Sequence, residues 1–223
     1  MTRRSGFPIV VAAPSGTGKT TVCRQVVEHD GEIVFSVSHT TRARRSGESD
    51  GTDYHFVDEA RFLALVDEDA FLEHAVYNEN RYGTSHAALD GPMAQGLDVL
   101  LEIEVQGARQ VRERRPDARF VFLLPPSFAT LRERLRGRGT DAPEQIERRL
   151  EVARRELLAV SDFDYAVVND DLDRCVADVL SILAAERSGD PAEARRRLAP
   201  DRPEVRAIRP EPPGAGGPEP LPS

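Results

Sequence analysis

At 223 residues, 39% hydrophobic and 30% charged, the chain is long enough for one sizeable core or for a core carrying small inserted lobes. Its formal net charge of -8 argues against broad binding of nucleic-acid polymers, which normally needs a net basic footprint. No apolar run approaches the roughly 18 residues of a membrane-spanning helix, and Met1–Arg4 lead into a strand-like segment rather than a signal peptide. A cytoplasmic location with no membrane association is therefore expected.

Phe7–Ala13 (FPIVVAA) is a short continuous apolar run, the pattern of a strand buried on both faces of a parallel sheet. Directly after it comes Ala13-Pro14-Ser15-Gly16-Thr17-Gly18-Lys19-Thr20-Thr21, followed by a helical pattern through Val27. Strand, glycine-rich loop and helix in that order make a phosphate-binding P-loop. Glycines let backbone N–H groups turn toward phosphate oxygens, the helix N-terminus adds a favourable dipole, Lys19 reaches the β- and γ-phosphates, and the Thr20 hydroxyl can ligate Mg²⁺. Ala13 stands where the motif has its first glycine. Lys and Arg total 30, yet Lys19 is the only lysine in the chain. A general preference for arginine does not explain a lysine kept at this one position. The loop implies ATP but leaves the phosphoryl acceptor open.

Ile33–Val37 reads as a second strand, and Val99–Ile103, Arg119–Leu124 and Tyr165–Val168 read the same way. Helical patterns lie between most of them, so an α/β layer fold with about five parallel strands is expected. Between the second and third strands, residues 38–96 are turn-rich, polar and aromatic, as in an inserted lobe. At its start Ser36–Arg45, with Glu48 and Tyr54 close behind, carries three arginines and a tyrosine hydroxyl that could clamp a phosphate. Taken alone, the stretch fits a solvated basic loop equally well. Leu97–Glu104 (LDVLLEIE) then delivers Glu102 and Glu104 on the same side at a strand's C-terminal end, where open α/β sheets bind ligands.

Leu131 and Leu135 mark the apolar face of a helical pattern on which Arg134 and Arg138, four apart, share another face. Two like charges at that spacing favour an anion between them, such as a phosphate of ATP. Gly137–Arg155 forms a second, smaller excursion, with a flexible start and a helix after it. From Ser188 to Ser223 the chain carries nine of its 16 prolines and no aromatic residue, the composition of a disordered tail. Cys23 and Cys175 are far apart and outside any C-x-x-C, which suits small core residues rather than a disulfide. The five histidines show no metal-ligand spacing.

The blocks APSGTGKTT, SVSHTTRARRSGE with DYHFV, FLEHAVY with RYGTS, DVLLEIEVQGA, LLPPS, LRERLRGRGT with IERRL, and VNDDLD occur in that order. Together they resemble the guanylate kinase family over about Phe7–Arg187. The resemblance implies a P-loop core at 5–37 and 97–187, a GMP-binding lobe at 38–96 and a lid at 137–155. It also implies transfer of a phosphoryl group from ATP to GMP, with dGMP as a second acceptor, giving ADP and GDP for purine nucleotide metabolism. Arg42, Arg45, Tyr54 and Tyr82, with Glu48, would then belong to the acceptor-phosphate site. Ser38, Glu73, Thr84 and Glu104 would face guanine, and Thr20 and Glu102 would hold Mg²⁺. Arg134, Arg138 and Arg149 would surround the triphosphate, and Asn169 would touch the adenine side. Glu104 departs from the Asp usual in the family, and His39 and His74 also stand where other side chains are more familiar. The nearest alternative enzyme is a P-loop kinase of a sugar phosphate such as ribosyl bisphosphate, which would not need Ser38, Glu73 and Thr84 together. A non-catalytic binding module of scaffold type is the other alternative, and an intact Lys19, Thr20 and lid arginine set speaks against it.

Overall fold

The computed structural model describes residues 4–77, 79–137 and 143–208. In chain order the core begins with strand β1 (Pro8–Ala12), helix α1 (Lys19–His29) and strand β2 (Ile33–Phe35). The inserted region supplies β3 (His39–Thr40), β4 (His55–Phe56), α2 (Glu59–Asp67), β5 (Phe71–Tyr77), β6 (Asn80–Ser85) and α3 (Ala87–Ala94). The core resumes with β7 (Asp98–Glu102), α4 (Val105–Arg114), β8 (Arg119–Leu124), α5 (Phe128–Arg136) and α6 (Pro143–Leu158). A 3₁₀ turn (Ala159–Asp162), β9 (Tyr165–Val168), α7 (Leu172–Ser188), α8 (Ala192–Arg197) and α9 (Pro203–Ile208) complete it.

The five apolar runs form one parallel sheet in the order β2-β7-β1-β8-β9, as expected. Alternate residues of each strand leave by opposite faces, and this divides the core in two. Val10, Ala12, Leu101, Phe120 and Phe122 pack with Leu89 and Met93 of α3 and with Val105, Ala108 and Val111 of α4. Ile9, Val11, Leu100, Val121 and Leu123 pack on the other side with Val22 and Val26 of α1 and with Val179, Ile182 and Leu183 of α7. Both cysteines sit in this second layer, buried and free, and burial pushes the Cys175 thiol up to about 12.

Within the inserted region, β4-β3-β6-β5 make a small separate sheet. Its own core is Phe62, Leu65 and Phe71. Helix α3 follows the lobe in sequence but packs on the main sheet through Leu89 and Met93.

Helix α5 ends at Arg136 with Gly137 as its C-cap; Arg138, expected to share a face with Arg134, lies outside the described residues. One expectation needs correction. The tail from Ser188 is not structureless up to residue 208. Ala194 and Leu198 join one core layer and Val205 and Ile208 the other. The segment crosses the outer edge of β9, where the Ala166 N–H donates to the Leu198 carbonyl at 2.8 Å and Arg202 Nη2 donates to the Ala166 carbonyl at 2.7 Å. The prolines misled because two of them begin helices: Pro191 is the N-cap of α8 and Pro203 the first residue of α9, positions where a missing N–H costs nothing. Residues 209–223 of the expected tail lie outside the described residues.

Candidate active site

Between β1 and α1 the backbone turns through Gly16 and Gly18, both left-handed at φ +92° and +96°. A Cβ at Gly16 would come within 2.9 Å of Leu135, and one at Gly18 within 2.7 Å of Asn169 Nδ2, so both position and space demand glycine. Ala13 keeps an ordinary φ and buries its methyl in the core, which is why the motif's first glycine is dispensable here. The Thr17 side chain is also fully buried, with its hydroxyl unpaired, so only its backbone serves the loop.

The loop is held from beneath and from the side. Asn169 Nδ2 donates to the Thr17 carbonyl at 2.7 Å, and Arg134 bridges the Thr17 and Asn169 carbonyls at 3.1 and 3.2 Å. Asn169 thus ties the start of the loop after β9 to the phosphate loop through its Nδ2. Arg149, on α6, donates to Ser15 Oγ at 2.5 Å. Lys19, at the first position of α1, donates to the Ile103 carbonyl at 2.7 Å and to Glu104 Oε1 at 3.2 Å. Burial alone would lower its pKa, but the charges of Glu104 and Glu102 outweigh that and hold the ammonium above its ordinary value. Thr20 Oγ1 donates to Glu102 Oε1 at 2.5 Å. The two acids at the end of β7 therefore both converge on the first turn of α1, as their spacing suggested.

Across the cleft, Arg42 lies over the ring of Tyr54, 5.4 Å from its centroid. Tyr54 and Tyr82 meet edge to face at 6.1 Å. Glu48 accepts from Arg42 Nη2 at 2.7 Å and from the Arg45 N–H at 2.8 Å, so it is the arginine's counterion and braces the loop. The Arg45 side chain is exposed. Deeper in the lobe, Glu73 Oε1 accepts both the N–H of Thr84 at 3.0 Å and its hydroxyl at 2.7 Å. Ser38 and Thr84 hydroxyls are 3.1 Å apart. Because the Thr84 proton goes to Glu73, Ser38 is the donor in that pair. Burial raises the Glu73 pKa, partly offset by the two Thr84 hydrogen bonds and the charge of Lys19. The charge of Glu102 likewise contributes to raising the Tyr54 pKa, after burial. The two halves of the site are thus close enough to feel each other.

Sequence reasoning missed Glu156. This carboxyl on α6 is pushed up to about 7 by burial first and then by Glu104, with which it hydrogen-bonds, while Lys19 and the Ser15 backbone oppose the rise. Its spacing of seven from Arg149, two helical turns on one face, was the available signal. Gln110 was missed as well; its amide grips the backbone of His74 beside Glu73.

A five-stranded parallel sheet with a P-loop after its first strand, and with arginines brought to that loop from two further helices, α5 and α6, defines a P-loop nucleotide kinase. The family model described as Guanylate kinase matches residues 5–186. A guanylate kinase of Alkalilimnicola ehrlichii is 53% identical over 182 residues, covering 82% of this chain and 90% of that protein. One from Thermus thermophilus is 50% identical over 201 residues, covering 87% and 91%. The crystal structure of guanylate kinase from Anaplasma phagocytophilum superposes with a TM-score of 0.68 at 33% identity, covering 91% of this chain and 97% of that one. The chain belongs to the guanylate kinase family.

Proposed function

We propose that the chain transfers the γ-phosphoryl group of ATP to GMP, releasing ADP and GDP, with dGMP as a second acceptor. The observation that carries the acceptor reading is the buried Glu73 carboxylate, with Oε1 occupied by Thr84. Guanine offers N1–H and N2–H₂ donors on one edge, which suit the second oxygen of that carboxylate. Adenine carries an acceptor at N1 and would leave the buried carboxylate unpaired. A sugar-phosphate kinase would have no use for the Ser38–Thr84–Glu73 chain. A non-catalytic module would have none for a lysine kept charged beside Glu104.

In this reading residues 38–96 are the acceptor lobe and 137–155 the lid, within a catalytic unit spanning 5–187. Arg42, Tyr54, Tyr82 and Arg45 hold the acceptor phosphate, with Glu48 orienting Arg42. The loop from Ala13 to Thr21, through the backbone N–H groups that follow Pro14, and the Lys19 ammonium hold the donor phosphates. Arg149, already at Ser15, and Arg134, with Arg138 in the undescribed part of the lid, offset charge spreading over the transferring group. No covalent nucleophile is needed, since positioning and electrostatics carry this kind of transfer. The adjoining hydroxyl and carboxylate oxygens of Thr20 and Glu102 are the hard donors that Mg²⁺ prefers, and they stand at the phosphate loop. Bound there, the ion would neutralise phosphate charge; Thr20 and Glu102 would hold it, with water and phosphate completing the shell.

No helix among the described residues is long and apolar enough to cross a membrane, in keeping with a cytoplasmic enzyme of purine recycling. The test is ADP release with ATP, Mg²⁺ and each of GMP, dGMP, AMP, CMP, UMP and ribose bisphosphate. GMP-selective turnover is expected; folded protein without GMP turnover refutes the proposal.

A further inference from the structure

Helix α4 starts immediately after the acidic strand end, with Glu104 as its N-cap residue. Residues 107, 110 and 114 lie along one side of it, and all three meet β5, the edge strand of the lobe that carries Glu73. Arg114 Nη1 donates to the Phe71 carbonyl at 2.7 Å. Gln110 takes both backbone groups of His74, accepting its N–H at 3.1 Å and donating to its carbonyl at 2.9 Å. These are contacts that a neighbouring strand would make, supplied here by helix side chains. The β5–β6 register shifts between Phe71 and Glu73, so the strand is irregular where it delivers the carboxylate and gains its alignment from α4.

At position 107 the helix has no side chain. A Cβ there would sit 2.6 Å from Glu73 Oε2 and 3.2 Å from its Cδ. Glycine inside a helix costs stability relative to alanine, so its use calls for a packing reason, and the three nearest atoms belong to Glu73 and Ile103. The Glu73 carboxylate cannot simply swing aside, because Oε1 is fixed by both donors of Thr84. The same helix is anchored at its other end, where Glu104 pairs with Lys19.

We propose that α4 sets the purine specificity of the acceptor site, with Gly107 and Gln110 as positioning residues. Gly107 leaves room for Glu73 Oε2 at the helix surface, and Gln110 fixes the β5 backbone next to it. Glu104 ties the same helix to the phosphate-gripping lysine. The ligand class is a 6-oxopurine monophosphate, and the inference rests on the reading of Glu73 as the guanine-facing acid.

The experiment compares Gly107→Ala, Gln110→Met, Glu73→Asp and the Gly107→Ala/Glu73→Asp double variant in the full chain. KM is measured for GMP, IMP and ATP, with kcat and melting temperature alongside. For Gly107→Ala we expect about a tenfold or greater rise in KM for GMP, a GMP-over-IMP preference that narrows by a similar factor, and KM for ATP changed less than about threefold. On top of Glu73→Asp, whose shorter side chain no longer meets the new methyl, the same substitution should add little. Gln110→Met should raise KM for GMP in the same selective way, and it decides the matter if Gly107→Ala does not fold. Additive losses in the double variant, or KM for ATP rising in parallel with GMP in the single ones, would overturn the role of α4. A Glu73→Asp chain with unchanged GMP preference would instead remove the guanine assignment on which it stands.

Discussion

Glu73→Gln separates binding from folding because its two effects have opposite signs. The amide keeps Oε1 as an acceptor for Thr84 but presents an NH₂ group where guanine's two donors need a negative oxygen. Two charge-assisted hydrogen bonds at about 1.5–3 kcal/mol each are at stake. A loss of about 3–4 kcal/mol corresponds to roughly two to three decades in kcat/KM for GMP. Stability should move the other way. Burial is the main cause of the raised Glu73 pKa, so ionising this carboxyl at neutral pH works against folding, and a neutral amide removes that penalty. The folded carboxyl keeps its proton to higher pH than the unfolded one, so wild-type stability falls as pH rises from 4.5 through the raised value. Over the same window KM for GMP should improve as the carboxylate forms; the variant should lose the KM trend and show a shallower fall in stability, the remainder coming from Glu156. Steady-state kinetics at several pH values with paired thermal melts would read this. A variant that melts lower, or that loses ATP and GMP affinity equally, would refute the reasoning.

Three further outcomes are expected. Lys19 is the only ε-amino group in the chain, so an amine-selective reagent should modify one lysine, and ATP should protect it as judged by peptide mass spectrometry; labelling indifferent to ATP contradicts its phosphate role. Glu156→Gln should remove a carboxyl titrating at about 7. Its folded pKa is raised, so this carboxyl should make wild-type stability fall as pH climbs from 4.5 to 7, by at most about 3 kcal/mol, and denaturant melts of the variant should show a fall smaller by that amount. Ending the chain after Gly189 removes buried Leu198, Val205 and Ile208, each contributing about 1.5–3 kcal/mol of burial. The melting temperature should drop by about 10 °C or more while kcat at 25 °C is kept, and an unchanged melt would show that α8 and α9 contribute nothing.

The five core strands were legible because burial on both faces leaves near-continuous apolar runs, and β8 and β9 match the expected bounds residue for residue. The P-loop was legible because its glycines and lysine answer to local geometry. Strands β3 and β4 span two residues each, too short for any periodicity to register. Arg134 illustrates a different limit. Its charge suggested a phosphate ligand, a role it keeps in the proposed function, but its two backbone carbonyl partners could not be foreseen, because no pattern in the chain signals a carbonyl partner. Glu156 was hidden among the many charges of α6. What singles it out is the arrival of Glu104 and Ser15 from distant parts of the chain.

The C-terminal crossing of β9 bears on association as well as on packing. β9 ends the sheet, and an uncovered end strand offers its N–H and C=O groups to any extended chain that meets it. The Leu198 carbonyl and the Arg202 guanidinium occupy both such groups of Ala166. A segment rich in proline and arginine thus takes up, at Ala166, the groups that an added strand would need.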